Sequence, residues 1–202
     1  MSEEMIIRHC SPTLAKLKTA NLLSCKFDCI YKLRKEICCL NLLLNKKGVS
    51  ICLLHHTSDR ALIYVYRNGM LKSDLNKDET IKFLRAQGYK SDKTEDFISE
   101  LCQRFSSCNE FPHEIGLFLG YPFEDVKGFI ENKGENSILT GCWKVYHNAE
   151  DAKRKFSKYK KCTSVYCRKY AEGLSINRLT LVGWEKGFYY EKSSSSFLEW
   201  HR

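Results

Sequence analysis

The stretch VSICLLHHTSDRALIYVY, residues 49–66, carries the clearest secondary-structure signal in the chain. Two runs rich in β-branched and aromatic residues, 49–54 and 61–66, are separated by the polar segment 55–60. Runs of this composition favour strands, and a short polar connection between them favours an antiparallel hairpin. The sequence therefore predicts a β-hairpin at the centre of the fold.

Helical patterns precede this hairpin. Residues 11–44 are predicted to be helical with a turn in the middle. Ser11 followed by Pro12 is typical of a helix start, and Asp28 can cap a second helix whose apolar residues recur at spacings of three and four. Two helices are therefore expected before the first strand.

The segments after the hairpin also alternate between helical and extended patterns. Helices are predicted near residues 77–87 and 94–105, from Pro122 to about residue 134, and over a long basic segment, 148–172. Residues 139–146 are apolar and aromatic enough to predict a third strand of the same sheet.

These patterns predict an α+β fold, a small antiparallel sheet of three or more strands with a central hairpin, packed by several α-helices. At 202 residues with 43% hydrophobic residues, the chain is long enough for one domain with its own core. We expect this single domain at residues 11–183, an N-terminal extension at 1–10 and a partly ordered C-terminal tail at 184–202.

The net charge indicates which classes of partner the protein can bind, and the cysteine content indicates its cellular compartment. The formal net charge of +9 permits an acidic partner, such as nucleic acid, a phosphorylated ligand or an acidic protein. The start of the chain lacks the basic and apolar segments of a signal peptide, so the 11 cysteines are expected to be free thiols in a cytoplasmic protein. The apolar runs are far shorter than the ~20 residues that span a bilayer, so no membrane segment is expected.

The run PHEIGLFLGYP, residues 112–122, is the most specific motif in the chain. Together with EDV at 124–126, GFI at 128–130 and WKVY at 143–146, it resembles a bacterial family catalogued as domain of unknown function 3793. The similarity extends from about residue 11 to residue 181.

The resemblance implies a small cytosolic protein of mostly anaerobic, Gram-positive bacteria, from a family without an established activity. It also implies an association with flavodoxin genes, and therefore a link to electron transfer or iron metabolism. An acidic, flavodoxin-like protein is accordingly an expected partner.

The pair His113-Glu114 is one candidate for chemistry, because a histidine beside a carboxylate can transfer protons or bind a metal. The residue four positions after His113 is Leu117, so the two-histidine helical face of a metalloprotease is missing. We predict a short helix at 113–119, with Glu114 in its first turn and His113 capping or packing. Since paired CxxC motifs and phosphate-binding glycine motifs are also missing, neither a metal site nor a cofactor is predicted.

Cys25 is the best candidate for a thiol nucleophile. It is predicted to lie at a turn between two helices beside Lys26, where a positive charge and a helix start would lower its pKa. His55 or His113 could then serve as the base. The competing interpretation, a buried structural thiol, is favoured because free cysteines are commonly packed in cores. An enzyme with a cysteine nucleophile remains the alternative function.

The long basic segment 148–172 supports the leading hypothesis, a non-enzymatic binding or accessory protein for an acidic partner. Its tyrosines fall on the apolar stripe and are expected to be core residues. A nucleic-acid-binding module is the third hypothesis, because a basic helix face can follow phosphates. An ordinary solvated helix face is the competing interpretation. The predicted partner-binding residues are Lys153, Arg154, Lys158, Lys160, Lys161 and Tyr121.

Overall fold

The computed structural model of the protein describes residues 2–91, 93–107 and 111–183. The predicted tail at 184–202 lies outside the described residues. The helices of these ranges are α1 (Glu3–Leu14), α2 (Ile30–Leu44), α3 (Asn68–Leu75), α4 (Asp78–Ala86), α5 (Thr94–Ser107), α6 (Ile115–Phe118), α7 (Phe123–Glu131), α8 (Ala149–Ala171) and α9 (Ile176–Leu179).

Three antiparallel strands form the central sheet, β1 (Ala20–Lys26), β2 (Val49–His56) and β3 (Arg60–Arg67). Their order is β1-β3-β2, so β3 is hydrogen-bonded on both edges. The predicted hairpin corresponds to β2 and β3 and is confirmed. The α+β fold, with helices packed on a small antiparallel sheet in a single domain, is confirmed as well.

The third strand of this sheet differs from the expected one. Residues 139–146 instead form a separate two-stranded hairpin, β4 (Leu139–Thr140) and β5 (Lys144–Val145). The third strand is β1, which lies where the sequence predicts a pair of helices. Ala20 and Leu22 pack on one face of β1 and Leu23 and Cys25 on the other, so only the last four residues alternate between buried and exposed, which is too short a run to identify a strand from the sequence.

The sheet separates two apolar clusters, and successive side chains of β3 enter them alternately. Ile63 and Val65 pack in a cluster with residues of α1, α2 and α9, whereas Tyr64 packs in a second cluster with residues of α3 to α7. A smaller third cluster joins Trp143 and Val145 to Ala152 of α8. The protein is therefore a sheet covered by helices on both faces, with the β4–β5 hairpin at its side.

The first helix starts earlier than predicted. It begins at Glu3, and the Ser2 side chain accepts a hydrogen bond from the Met5 amide, which caps the helix. Ser11 is buried and Pro12 lies near the C-terminal end of the helix, so the prediction of a helix start at Ser11 is wrong. The true start has the stronger signal, a serine cap followed by two glutamates in the first turn.

Local capping signals elsewhere are correct or nearly so. Asn148 caps α8 through a hydrogen bond from the Asp151 amide, and Gly173 follows its end with φ of 93°, as predicted. In α2, however, Cys29 rather than Asp28 occupies the N-cap position. None of the helices in the described ranges combines the length and the apolar character that a membrane crossing requires.

Candidate functional site

Cys25 lies on β1, with its side chain in the first apolar cluster beside α2. Only 3% of the residue is exposed, and burial raises the pKa of its thiol. The predictions of a helix-to-helix turn and of a lowered pKa are therefore both wrong. The reason is the strand itself, which directs this side chain into the core instead of toward a helix start.

The two candidate bases do not converge on this thiol. Cys25 pairs with Ala61, whereas His55 pairs with Leu62, so the two side chains project from opposite faces of the sheet. His113 is exposed and its ring packs against Phe129, with centroids 5.0 Å apart. The structure thus separates the residues of the predicted cysteine enzyme.

Glu114 is engaged in a buried network and is 4% exposed. Its carboxylate accepts a hydrogen bond from the Tyr89 hydroxyl at 3.1 Å and from Arg104 of α5 at 3.3 Å. The Arg104 guanidinium also lies 4.3 Å from the centroid of the Tyr89 ring. These contacts hold α5 against the segment before α6, which is a structural role for this carboxylate.

The predicted basic residues lie on the outer face of α8 but differ in their partners. Lys153 pairs with Glu150 at 2.8 Å and Arg154 with Asp151 at 3.5 Å, both within the helix. Three exposed lysines have no acidic side chain within 4.0 Å among the described residues. They are Lys158, Lys160 and Lys161. The uncompensated charge of α8 is thus concentrated at its middle.

Tyr121 follows α6 in a turn that only glycine allows. Gly120 has φ of 72°, and a Cβ atom there would lie 2.5 Å from Thr19 Oγ1. The turn therefore approaches the start of β1 closely. The Tyr121 ring stacks on Trp143 at 4.8 Å between centroids, and its hydroxyl donates a hydrogen bond to the Cys142 carbonyl at 3.3 Å.

Lys18, which sequence analysis missed, also lies beside Tyr121. Its Nζ atom is 4.9 Å from the centroid of the Tyr121 ring, and the residue is 6% exposed. Burial lowers the pKa of this lysine to about 8. No motif marks it, because a single lysine between a helix and a strand is ordinary in a basic chain. We call Lys18, Tyr121 and Cys142 the Lys18 site.

A cleft of about 300 Å³ borders the Lys18 site through Tyr121. Its wall includes Asp74, whose carboxylate accepts a hydrogen bond from Thr19 Oγ1 at 2.5 Å and pairs with Lys77 at 3.6 Å. Lys155 of α8 also lines it. The cleft is therefore polar and mixed in charge, at the meeting point of α3, α4, α7 and α8.

The motif-bearing segments and the elements around them fall within one family match. A model of the family described as Protein of unknown function (DUF3793) matches residues 6–180. The chain belongs to this family. The DUF3793 match covers both faces of the sheet, the Lys18 site and all of α8, and it confirms the resemblance seen in the sequence. No curated protein and no solved structure matches the chain.

The DUF3793 description assigns no activity to the family. Among the described residues, no three His, Cys, Asp or Glu side chains come together in the way a metal ion requires.

Thiol labelling checks the arrangement of the cysteines. We expect Cys38 and Cys39, which are exposed, to react with iodoacetamide roughly tenfold or more faster than buried Cys25 in the folded protein at pH 7.5. Peptide mass spectrometry of timed samples gives the individual rates. Labelling in guanidinium chloride is the control, since unfolding should bring the rates together. Faster labelling of Cys25 than of the exposed thiols would support the hypothesis of an enzyme with Cys25 as its nucleophile.

Proposed function

We propose that this protein is a non-enzymatic cytoplasmic binding protein that recognises an acidic protein partner through the outer face of α8. The observation that carries the proposal is the set of three exposed lysines without acidic neighbours in the described structure, Lys158, Lys160 and Lys161. Glu150 and Asp151 in the first turn of α8 and Glu172 just after its end pair with basic side chains near both ends of the helix, so its middle offers the free positive charge.

The inner face of α8 gives this surface a defined position. Phe156 packs edge-on against Trp143 at 4.5 Å between centroids, and Tyr166 packs against the first apolar cluster. A helix anchored along its length presents its outer charges in a fixed pattern, which favours specific recognition over loose attraction.

An acidic protein fits this surface better than a single-stranded nucleic acid does. Proteins that bind single strands combine positive charge with exposed aromatic rings on which bases stack. The tyrosines of α8 are turned toward the protein and are partly buried, so they do not form such a stacking surface. They are Tyr159, Tyr166 and Tyr170. A flavodoxin-like protein, the partner class implied by the family resemblance, supplies the negative charge that the lysines would contact.

Charge reversal on α8 tests the proposal. Lys158→Glu combined with Lys161→Glu should weaken binding of a purified acidic flavodoxin roughly tenfold or more, because two attractive contacts become repulsive. Titration calorimetry at low and moderate salt measures the affinity, and the wild-type protein should lose affinity as salt screens the charges.

A matched control exists on α2, where Lys32 and Lys35 are exposed and have the same spacing of three residues. Lys32→Glu with Lys35→Glu changes the net charge equally and should bind nearly as the wild type does. Equal weakening of binding by both double variants would mean that net charge alone attracts the partner. Unchanged binding by the α8 variant would contradict the proposal that the outer face of α8 contacts the partner. Tighter binding of a DNA or RNA oligonucleotide than of flavodoxin, with a steep salt dependence, would favour the nucleic-acid module.

A further inference from the structure

Lys18 is a buried cation without a counter-ion in the described structure. The residue is 6% exposed, and neither a carboxylate nor another acceptor among the described residues takes a hydrogen bond from Nζ. Its contact is the face of the Tyr121 ring at 4.9 Å. Since burial of an unpaired charge is costly, such lysines are uncommon in cores and mark candidate sites of function.

The titratable groups that face Lys18 do not supply the missing negative charge. Cys10 of α1 is fully buried, and burial raises the pKa of its thiol to about 12. Burial also raises the pKa values of Cys142 and of the Tyr121 hydroxyl. All three neighbours are neutral at pH 7, and burial of the ammonium itself makes the lysine lose its proton more readily than an exposed lysine does. Its pKa of about 8 reflects this environment.

Nζ lies close to the surface despite its burial. Cys142, one of the groups that face it, is exposed in the loop between β4 and β5. Tyr121, on the other hand, lines the cleft of about 300 Å³ described above. The amine is therefore flanked by the exposed side chain of Cys142 on one side and by the ring of Tyr121, which lines the cleft, on the other.

We propose that Lys18 is an amine nucleophile that captures the carbonyl group of a small aldehyde or keto acid as an imine at the Lys18 site. The Lys18 ammonium first releases a proton to solvent. The nitrogen lone pair then attacks the carbonyl carbon, the C–N bond forms, and the π electrons move to the oxygen, which takes up a proton. Loss of the nitrogen proton and departure of water leave the C=N bond, so the step requires neither an oxidant nor a reductant.

The probe for this reaction is glyoxylate with sodium cyanoborohydride, which reduces the imine to a stable secondary amine. At pH 7, a lysine of pKa about 8 has roughly 300-fold more neutral amine than an ordinary lysine does. Burial slows access, so we expect Lys18 to be modified roughly tenfold or more faster than Lys82, an exposed lysine of α4. Peptide mass spectrometry of timed samples gives both rates.

The pH profile separates an intrinsically reactive amine from a merely accessible one. The rate at Lys18 should level off above about pH 8, whereas the rate at Lys82 should keep rising to higher pH. Cys39→Ser, at an exposed thiol of α2 outside the Lys18 site, should leave the labelling of Lys18 unchanged. Modification of Lys18 no faster than of Lys82, or parallel pH profiles, would overturn the inference. The outcome is independent of the flavodoxin titration, since it requires no protein partner.

Discussion

Arg67→Met is expected to destabilise the fold by about 4 kcal/mol, because it removes the hydrogen-bond donor at which three segments of the chain meet. Arg67 is 2% exposed at the end of β3. Its guanidinium donates hydrogen bonds to the carbonyls of Thr13, Leu14, Lys47 and Leu181, the last at 2.9 Å. Methionine fills similar space but leaves these carbonyls without that donor.

Urea unfolding followed by circular dichroism measures this effect. Arg67→Lys should cost less, about 2 kcal/mol, because an ammonium keeps the charge but cannot reach all four carbonyls in the guanidinium geometry. Arg8→Met is the surface control, since the exposed Arg8–Glu4 pair contributes less than about 1 kcal/mol. A loss of less than about 1 kcal/mol in Arg67→Met would show that this junction does not hold the segments together.

Asp125→Ala is expected to cost about 3 kcal/mol and to loosen the β4–β5 hairpin. Asp125 is 3% exposed in the first turn of α7. Its carboxylate accepts hydrogen bonds from Trp143 Nε1 at 2.7 Å and from the amides of Tyr146 and His147 at 2.7 and 3.0 Å. Alanine would leave all three donors without this acceptor, and the Trp143 side chain among them is buried.

Hydrogen exchange shows whether the loss is local. In Asp125→Ala, peptides that contain the Tyr146 and His147 amides should lose protection more strongly than peptides from β2 and β3. Glu124→Ala is the neighbouring control, because that carboxylate is exposed and its removal should cost less than about 1 kcal/mol. Equal exchange in the two variants would contradict the anchoring role of Asp125.

The parts of the fold that sequence analysis predicts correctly depend on neighbouring residues. The hairpin at 49–66 combines two strand-forming runs with a polar connection, and both the runs and the connection are local features. The same holds for α8, where Asn148 supplies the cap and Gly173 the end. The family resemblance, which rests on contiguous motifs, is likewise visible in the sequence.

The parts that it misses depend on contacts between distant residues. Residues 20–26 have no strand signal of their own and become β1 because β3 supplies hydrogen bonds along the whole edge. The same pairing places Cys25 in the core instead of at the predicted turn between two helices, which agrees with the favoured interpretation of a buried structural thiol.

The fold class, the central hairpin, the basic helix and the family all follow from patterns of neighbouring residues. Contacts between distant segments, in contrast, determine which strand completes the sheet, which basic residues of α8 are uncompensated, and the burial of Lys18 beside Tyr121 with no counter-ion in the part of the chain that the structure describes. Strand propensity, capping and periodicity act over a few neighbouring residues. Burial and charge pairing, by contrast, depend on side chains that are far apart in the chain.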